Sequence, residues 1–144
     1  MNRVSDAAPG SEHKSTLAAI SHAQLHGIPV INGSQCYSLG SNKYMHHAIL
    51  SRAGCEAPKS VVINSSDEKL PEIGHLKFPI LLKPNAGGFG KGMKRFANQE
   101  AFKDESVSSL TSQSCDGIVL LQEMHVPKSN KIYRVWFLGH KVLT

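Results

Sequence analysis

The sequence predicts an α+β fold, an α/β sandwich in which helices pack on an antiparallel sheet. Three observations predict it. Apolar residues recur at helical spacing in two stretches near the N-terminus. Short apolar runs beyond residue 58 are bounded by Gly, Pro and Asn, as strands are. Consecutive runs are joined by a glycine-rich connection after Pro84 and by a tight turn at Gly139-His140, which makes neighbouring strands antiparallel.

The elements follow in order. Met1 to Glu12 is rich in Ser, Ala, Asp, Pro and Gly and reads as a disordered tail over residues 1–12. From His13 a helical pattern begins, with Leu17, Ile20, Gln24 and Leu25 roughly on one face and Gly27 as its cap. Ile28-Pro29-Val30-Ile31 reads as a short buried strand closed by Asn32-Gly33. Ser41 or Asn42 caps a second helix from Lys43 to Ala53, and Gly54 ends it. Lys59 to Ile63 is a strand, and Asn64 to His75 is a polar connection. Phe78 to Lys83 is a strand stopped by Pro84, Asn85 to Gly92 a loop, and Met93 to Ala97 the returning strand. Asn98 caps a third helix through Leu110. Ile118 to Met124 and Ile132 to Leu138 are strands, and Val142-Leu143-Thr144 begins a partner for the last. A hairpin cut in its second strand leaves unpaired backbone groups, so the sequence is expected to be a fragment.

Composition narrows the function. The 144 residues are 40% hydrophobic and 19% charged, ordinary for a globular domain with a core of Leu, Ile, Val and Ala. The net charge of +5 suits an anionic ligand or a solvated basic surface, and no long run of like charge marks a nucleic-acid tail. Cys36, Cys55 and Cys115 are far apart and form no CxxC pair, which argues for a reducing compartment and hence the cytoplasm. No apolar run reaches the length of a membrane span.

The chemistry concentrates between Lys83 and Gly92. Glycines stand at 87, 88, 90 and 92, with Phe89 and Lys91 between them. Lacking Cβ atoms, such a backbone can adopt positive φ and aim successive N–H groups at a polyphosphate. Lys83, at the end of a strand, places a compact ammonium near the same oxygens. A Walker A loop is excluded, because position 85 is Asn and Gly92 is not Ser or Thr. A Rossmann fingerprint fails because Met93 occupies the third glycine position. The loop therefore reads as a flap between two strands that covers the phosphates of a nucleotide, the alternative being a glycine hairpin with no ligand.

Other places fit a nucleotide pocket. Gln122-Glu123-Met124-His125 lies where an apolar strand becomes a loop, as an adenine-binding edge or simply a polar strand end. Lys43 opens a helix and is either a phosphate contact or a surface lysine. Arg134, inside an apolar strand, faces solvent or meets an anion. The eight histidines show no HExxH motif, and no metal ligand is assigned.

Taken in order, these motifs resemble the ATP-grasp superfamily, and within it the RimK-type amino-acid ligases. The resemblance runs from His26 to Thr144 through Gly27-Ile28-Pro29-Val30-Ile31-Asn32, Asn42-Lys43, Arg52-Ala53-Gly54, Lys83-Pro84, the Gly87–Gly92 loop, Leu121-Gln122-Glu123 and Tyr133-Arg134-Val135. It implies that residues 13–40 end a segment preceding the ATP-grasp part and that 41–144 are a partial ATP-grasp domain. It implies ATP as cofactor, with Lys43 and Lys83 on its phosphates, Gly87, Gly88, Phe89, Gly90, Lys91 and Gly92 as the flap, and Gln122, Glu123, Met124, His125 and Val126 around the adenine. Arg134 corresponds to the arginine near the acyl phosphate or acceptor. Such ligases phosphorylate a carboxylate, and an amine then attacks the acyl phosphate, so a carboxylate substrate and an amino-acid acceptor are the implied partners. Two departures stand out. Ile132 replaces an acidic residue of that branch, and the magnesium ligands belong to strands that would follow Thr144. Asp104, Glu105 and Asp116 are not placed to replace them. The expectation is an ATP-binding protein of the ligase type, inactive alone. The alternative is a non-catalytic interaction or regulatory module that retains the fold, with the open sheet edge at Val142–Thr144 able to accept a strand from another chain, including by self-association. Nucleic-acid binding is disfavoured by the scarcity of aromatic residues.

Overall fold

The computed structural model describes residues 8–127, 129, 131 and 133–143. Three helices open the chain: α1 (Gly10–Leu25), α2 (Ser34–Gly40) and α3 (Lys43–Arg52). They pack in succession, α1 on α2 and α2 on α3. A four-stranded antiparallel sheet follows, built from β1 (Ser60–Asn64), β2 (Ile80–Pro84), β3 (Lys94–Phe96) and β4 (Ile118–Glu123). Its order is β1-β4-β2-β3, so β4 lies between the first two strands. A 3₁₀ turn (Glu100–Phe102) and α4 (Val107–Thr111) connect β3 to β4. A separate hairpin, β5 (Trp136–Leu138) with β6 (Lys141–Leu143), closes the described chain. The fold is α+β, as the sequence predicts.

The register explains which face of the sheet is filled. Ile80 pairs with Phe96, Leu82 with Leu121, and Ile63 with Val119. Directly paired residues project to the same side of a pleated sheet. These side chains, with Phe102, Leu110, Ile73 and Leu76, form one buried cluster. Phe96 and Phe102 meet edge to face, with ring centroids 5.2 Å apart at 90°, a favoured aromatic geometry. The alternating residues Leu81, Lys83, Leu120 and Gln122 occupy the opposite face. That face carries the polar groups of the candidate site.

Several elements differ from expectation. α1 starts at Gly10, three residues before His13, so the boundary drawn at residue 12 falls inside a helix; residues 1–7 lie outside the described ones. Ile28-Pro29-Val30-Ile31 is not a strand: it joins α1 to α2, with Ile28 56% and Ile31 94% exposed. An apolar tetrapeptide becomes a strand only if another strand accepts its backbone bonds, and the sheet here has none beside it. α2 was not foreseen, because its seven residues lack an apolar period. The expected helix from Asn98 to Leu110 is broken. Asn98 caps only the 3₁₀ turn, through Ala101 N at 2.9 Å, and Ser106 then caps α4 through Ser109 N at 3.2 Å. The last strand begins at Trp136; Tyr133, Arg134 and Val135 precede it without strand pairing, and Ile132 lies outside the described residues. Thr144, the expected end of the partner strand, also lies outside them.

Candidate functional site

The site is built where β2 leaves the sheet. Lys83 projects from the face of β2 opposite the core, and its ammonium donates to Gln122 Oε1 at 2.5 Å. Gln122 in turn donates from Nε2 to Ser60 Oγ at 3.0 Å. A polar row therefore crosses three strands, β1, β4 and β2, on one face. Arg95 pairs with Leu81 and so shares that face from β3. It is an exposed cation that sequence reading did not single out.

Lys43 reaches the same place from another element. Its ammonium donates to Gly87 O at 2.7 Å and to Asn85 O at 3.3 Å. Lys83 is held below the ordinary lysine value of 10.5, first by burial and second by the charge of Lys43. Like charges brought together disfavour each other's charged form. An anion placed against both removes that cost.

The loop has the backbone its glycines foretell. Gly87, Gly90 and Gly92 all take positive φ, at 131°, 72° and 73°. Phe89 also takes positive φ, at 56°, and is 94% exposed at the tip. Gly92 is required on a second count, because a Cβ there would lie 2.8 Å from Pro84 Cγ and 2.9 Å from Gln113 O. The loop's return is thus pressed against the end of β2. Gly88 and Lys91 are tied by a turn bond, Lys91 N to Gly88 O at 3.1 Å, and Lys91 itself is exposed.

The residues after β4 are placed less directly. Glu123 pairs with Ile80, so its side chain lies on the core side of the sheet, away from Lys83 and Gln122. Its Oε1 accepts from Lys77 N at 2.8 Å. The backbone N–H of Met124 is committed to Pro79 O at 2.9 Å. His125 and Val126 are exposed in the following loop. Arg134 is exposed before β5. Among the described residues, no hydrogen bond or ion pair ties it to β2, the glycine loop or β4.

Sequence reading missed three residues that the fold brings together here: Asn85, Ser114 and Asp116. Asn85 is 2% exposed, and it donates to Asp116 Oδ2 at 2.6 Å. Ser114 donates to Asp116 Oδ1 at 2.6 Å. The only signal in the sequence was Asn85 itself, a polar residue between a buried strand and a glycine loop.

Among the described residues, no three His, Cys, Asp or Glu side chains converge on one point. Asp116 is committed to Asn85 and Ser114, Glu105 to Lys94, and Glu123 to the Lys77 backbone. A cavity of about 580 Å³ between α1, α2 and Asp116 is lined by Ala86 at the loop root but by neither lysine of the site nor any loop glycine. The convergent charges lie instead on the β2 face. No helix among the described residues is long and apolar enough to cross a membrane.

Comparison with known proteins places this geometry. Residues 42–132 match the family described as carbamoyl-phosphate synthase L chain, ATP binding domain. The carbamoyl phosphate synthase large chain of Micrococcus luteus is 30% identical over 70 residues, which are 46% of this chain and 6% of that one. The alpha-aminoadipate–LysW ligase LysX of Sulfurisphaera tokodaii is 26% identical over 110 residues, 76% of this chain and 38% of that one. The crystal structure of D-alanine–D-alanine ligase from Bacillus anthracis superposes with a TM-score of 0.59 at 20% identity, covering 73% of this chain and 33% of that one. The chain thus spans well under half the length of the relatives it matches. With the matched region running from the residue before Lys43 through the glycine loop and β4, the chain belongs to the carbamoyl-phosphate synthase L chain ATP-binding domain family, within the ATP-grasp superfamily.

Proposed function

We propose that this chain binds ATP as the nucleotide-holding part of an ATP-dependent carboxylate–amine ligase, of the branch that includes RimK-type amino-acid ligases. One observation carries the reading: Lys43 and Lys83 arrive from separate elements beside a loop of positive-φ glycines, and the charge of Lys43 adds to burial in lowering the proton affinity of Lys83. In this reading both ammonium groups neutralise phosphate oxygens, and Gly87 to Gly92 fold over them with Phe89 and Lys91 at the tip. Adenine lies against Gln122 and the backbone of Glu123, Met124, His125 and Val126. The Glu123 carboxylate contributes by holding Lys77, not by touching the base. Arg134 is assigned to the acyl phosphate or acceptor, on the strength of the resemblance alone. The chemistry is activation of a carboxylate as an acyl phosphate, followed by attack of an amine. Here the chain's own residues contribute position and charge neutralisation.

We further propose that these residues bind ATP without completing a ligase cycle alone, with magnesium held by groups outside them. The reading is supported by the engagement of Asp116, Glu105 and Glu123 elsewhere, and by the one-third coverage of the ligase structure. The three free thiols fit a reducing compartment, and we place the chain in the cytoplasm.

The deciding experiment is calorimetric titration of ATP into wild type and Lys83→Ala. A charge-assisted contact is worth about 1.5–3 kcal/mol, so the variant should bind at least about tenfold more weakly. Equal affinity in the two, or no binding by either, sinks the reading.

A second reading is favoured by one surface. Trp136, Phe137 and Leu138 of β5 are 63%, 66% and 71% exposed, and they alternate between the two faces of a two-stranded sheet. Such a hairpin is a docking surface for another sheet or chain, which would make the chain an interaction module. Light scattering at high protein concentration tests it; a clean monomer counts against self-association.

A further inference from the structure

Asn85 follows directly on β2 and has no polar atom left over. Its Oδ1 accepts from Tyr44 N at 2.9 Å, and its Nδ2 donates to Asp116 Oδ2 at 2.6 Å. Its backbone N–H donates to Ile118 O at 2.9 Å, which extends the β2–β4 ladder by one residue. Its carbonyl accepts from Lys43 N and from Lys43 Nζ, both at 3.3 Å. Asp116 is fixed in turn by Ser114 Oγ at 2.6 Å and Ile118 N at 3.1 Å. Ser114, also buried, reaches Ala86 O at 3.4 Å.

Three segments distant in sequence therefore meet on one buried carboxamide: the start of α3, the root of the glycine loop and the turn before β4. The N-terminus of α3 is closed entirely by this arrangement. Asn42 N goes to Leu39 O at 3.1 Å, Asn42 Oδ1 takes Met45 N at 3.0 Å, and Asn85 takes Lys43 N and Tyr44 N. Those are the backbone donors that a helix leaves unpaired in its first turn. With them used internally, an anion at this spot meets the lysine ammonium groups rather than the helix end.

Only a side chain with a donor and an acceptor on one planar head can do this. Asp at 85 would lose the donor and face the Asp116 carboxylate. Leu would strand the Tyr44 N–H in a buried place.

We propose that Asn85, braced by Asp116, is the positioning residue of the phosphate site. It sets the start of α3 against the loop root, so that the Lys43 ammonium is already on the Gly87 carbonyl before a nucleotide arrives. The benefit is preorganisation, since neither the start of α3 nor the loop root need be ordered on binding. The proposal rests on the ATP reading above for its functional consequence, and not for its geometry.

The test uses the full chain and two measurements. The first is ATP affinity for wild type, Asn85→Ala, Lys43→Ala and the double variant. Positioning through Lys43 predicts that Asn85→Ala weakens binding on the order of tenfold and adds almost nothing once Lys43 is gone. Wild-type affinity in Asn85→Ala, or losses that simply multiply, overturns the proposal. The second is hydrogen exchange at the Tyr44 amide without nucleotide, read by NMR. Protection should fall at least about tenfold in Asn85→Ala and stay unchanged in Lys83→Ala. Unaltered protection overturns the clamp. If wild type binds no ATP, the nucleotide reading fails and the amide measurement alone decides the clamp. If Asn85→Ala does not fold, Asp116→Ala, which removes only the brace, takes its place in both measurements.

Discussion

The Lys83 ammonium donates to Gln122 Oε1 across the β2–β4 pair, and Gln122 passes the contact on to Ser60 of β1. The only acceptor that β4 offers Lys83 in this row is thus a neutral amide. A carboxylate there would have favoured the charged lysine; an amide leaves burial and Lys43 to depress it.

That depression fixes a pH dependence. Lys83 binds its proton less tightly in the folded chain than in the unfolded one. Between the folded value and the ordinary 10.5, the unfolded chain therefore holds more proton, and stability rises with pH through that window. The penalty is fully present below the folded value. NMR titration of the Lys83 side chain should show a midpoint below the ordinary 10.5. Lys43→Ala should move it upward, and added ATP should move it further the same way. A midpoint indifferent to both would show that the two lysines do not share one field.

Gly92 and Gly90 separate strain from collision. Both have φ near +72°, which costs a non-glycine residue about 1–2 kcal/mol. A Cβ at Gly90 meets only Met93 Sδ at 3.9 Å, whereas one at Gly92 meets Pro84 and the Gln113 backbone below 3.0 Å. Gly92→Ala should therefore lose clearly more stability in urea unfolding than Gly90→Ala, and more ATP affinity as the loop root shifts. Equal losses would mean that the loop's return does not press on β2.

Phe96 is 1% exposed and packs edge to face on Phe102 at the border of the sheet core. Phe96→Ala should cost about 3–5 kcal/mol, measured by thermal or urea unfolding. A loss below about 1 kcal/mol would place the core elsewhere.

Ile31 offers the converse. It is 94% exposed in the α1–α2 connection. Ile31→Ser should change stability by no more than about 0.5 kcal/mol in urea unfolding. A large destabilisation would restore the buried strand expected from its sequence.

The sequence by itself determined the sheet strands, the glycine loop and the α3 start, because each is set by local chemistry. Apolar runs bounded by Pro and Gly mark strands, glycines permit positive φ, and Asn42 caps its own helix, each signal lying in neighbouring residues. The tertiary structure decided what depended on such partners. Ile28 to Ile31 has strand chemistry but no strand beside it, so it lies exposed. Glu123 turned to the core side because register, which is non-local, assigns the faces. Asn85, Ser114 and Asp116 gained their roles only when the turn before β4 came back against the end of β2. Lys43 and Lys83, 40 positions apart, became one electrostatic unit by the same closure, since charge couples through space and not along the chain.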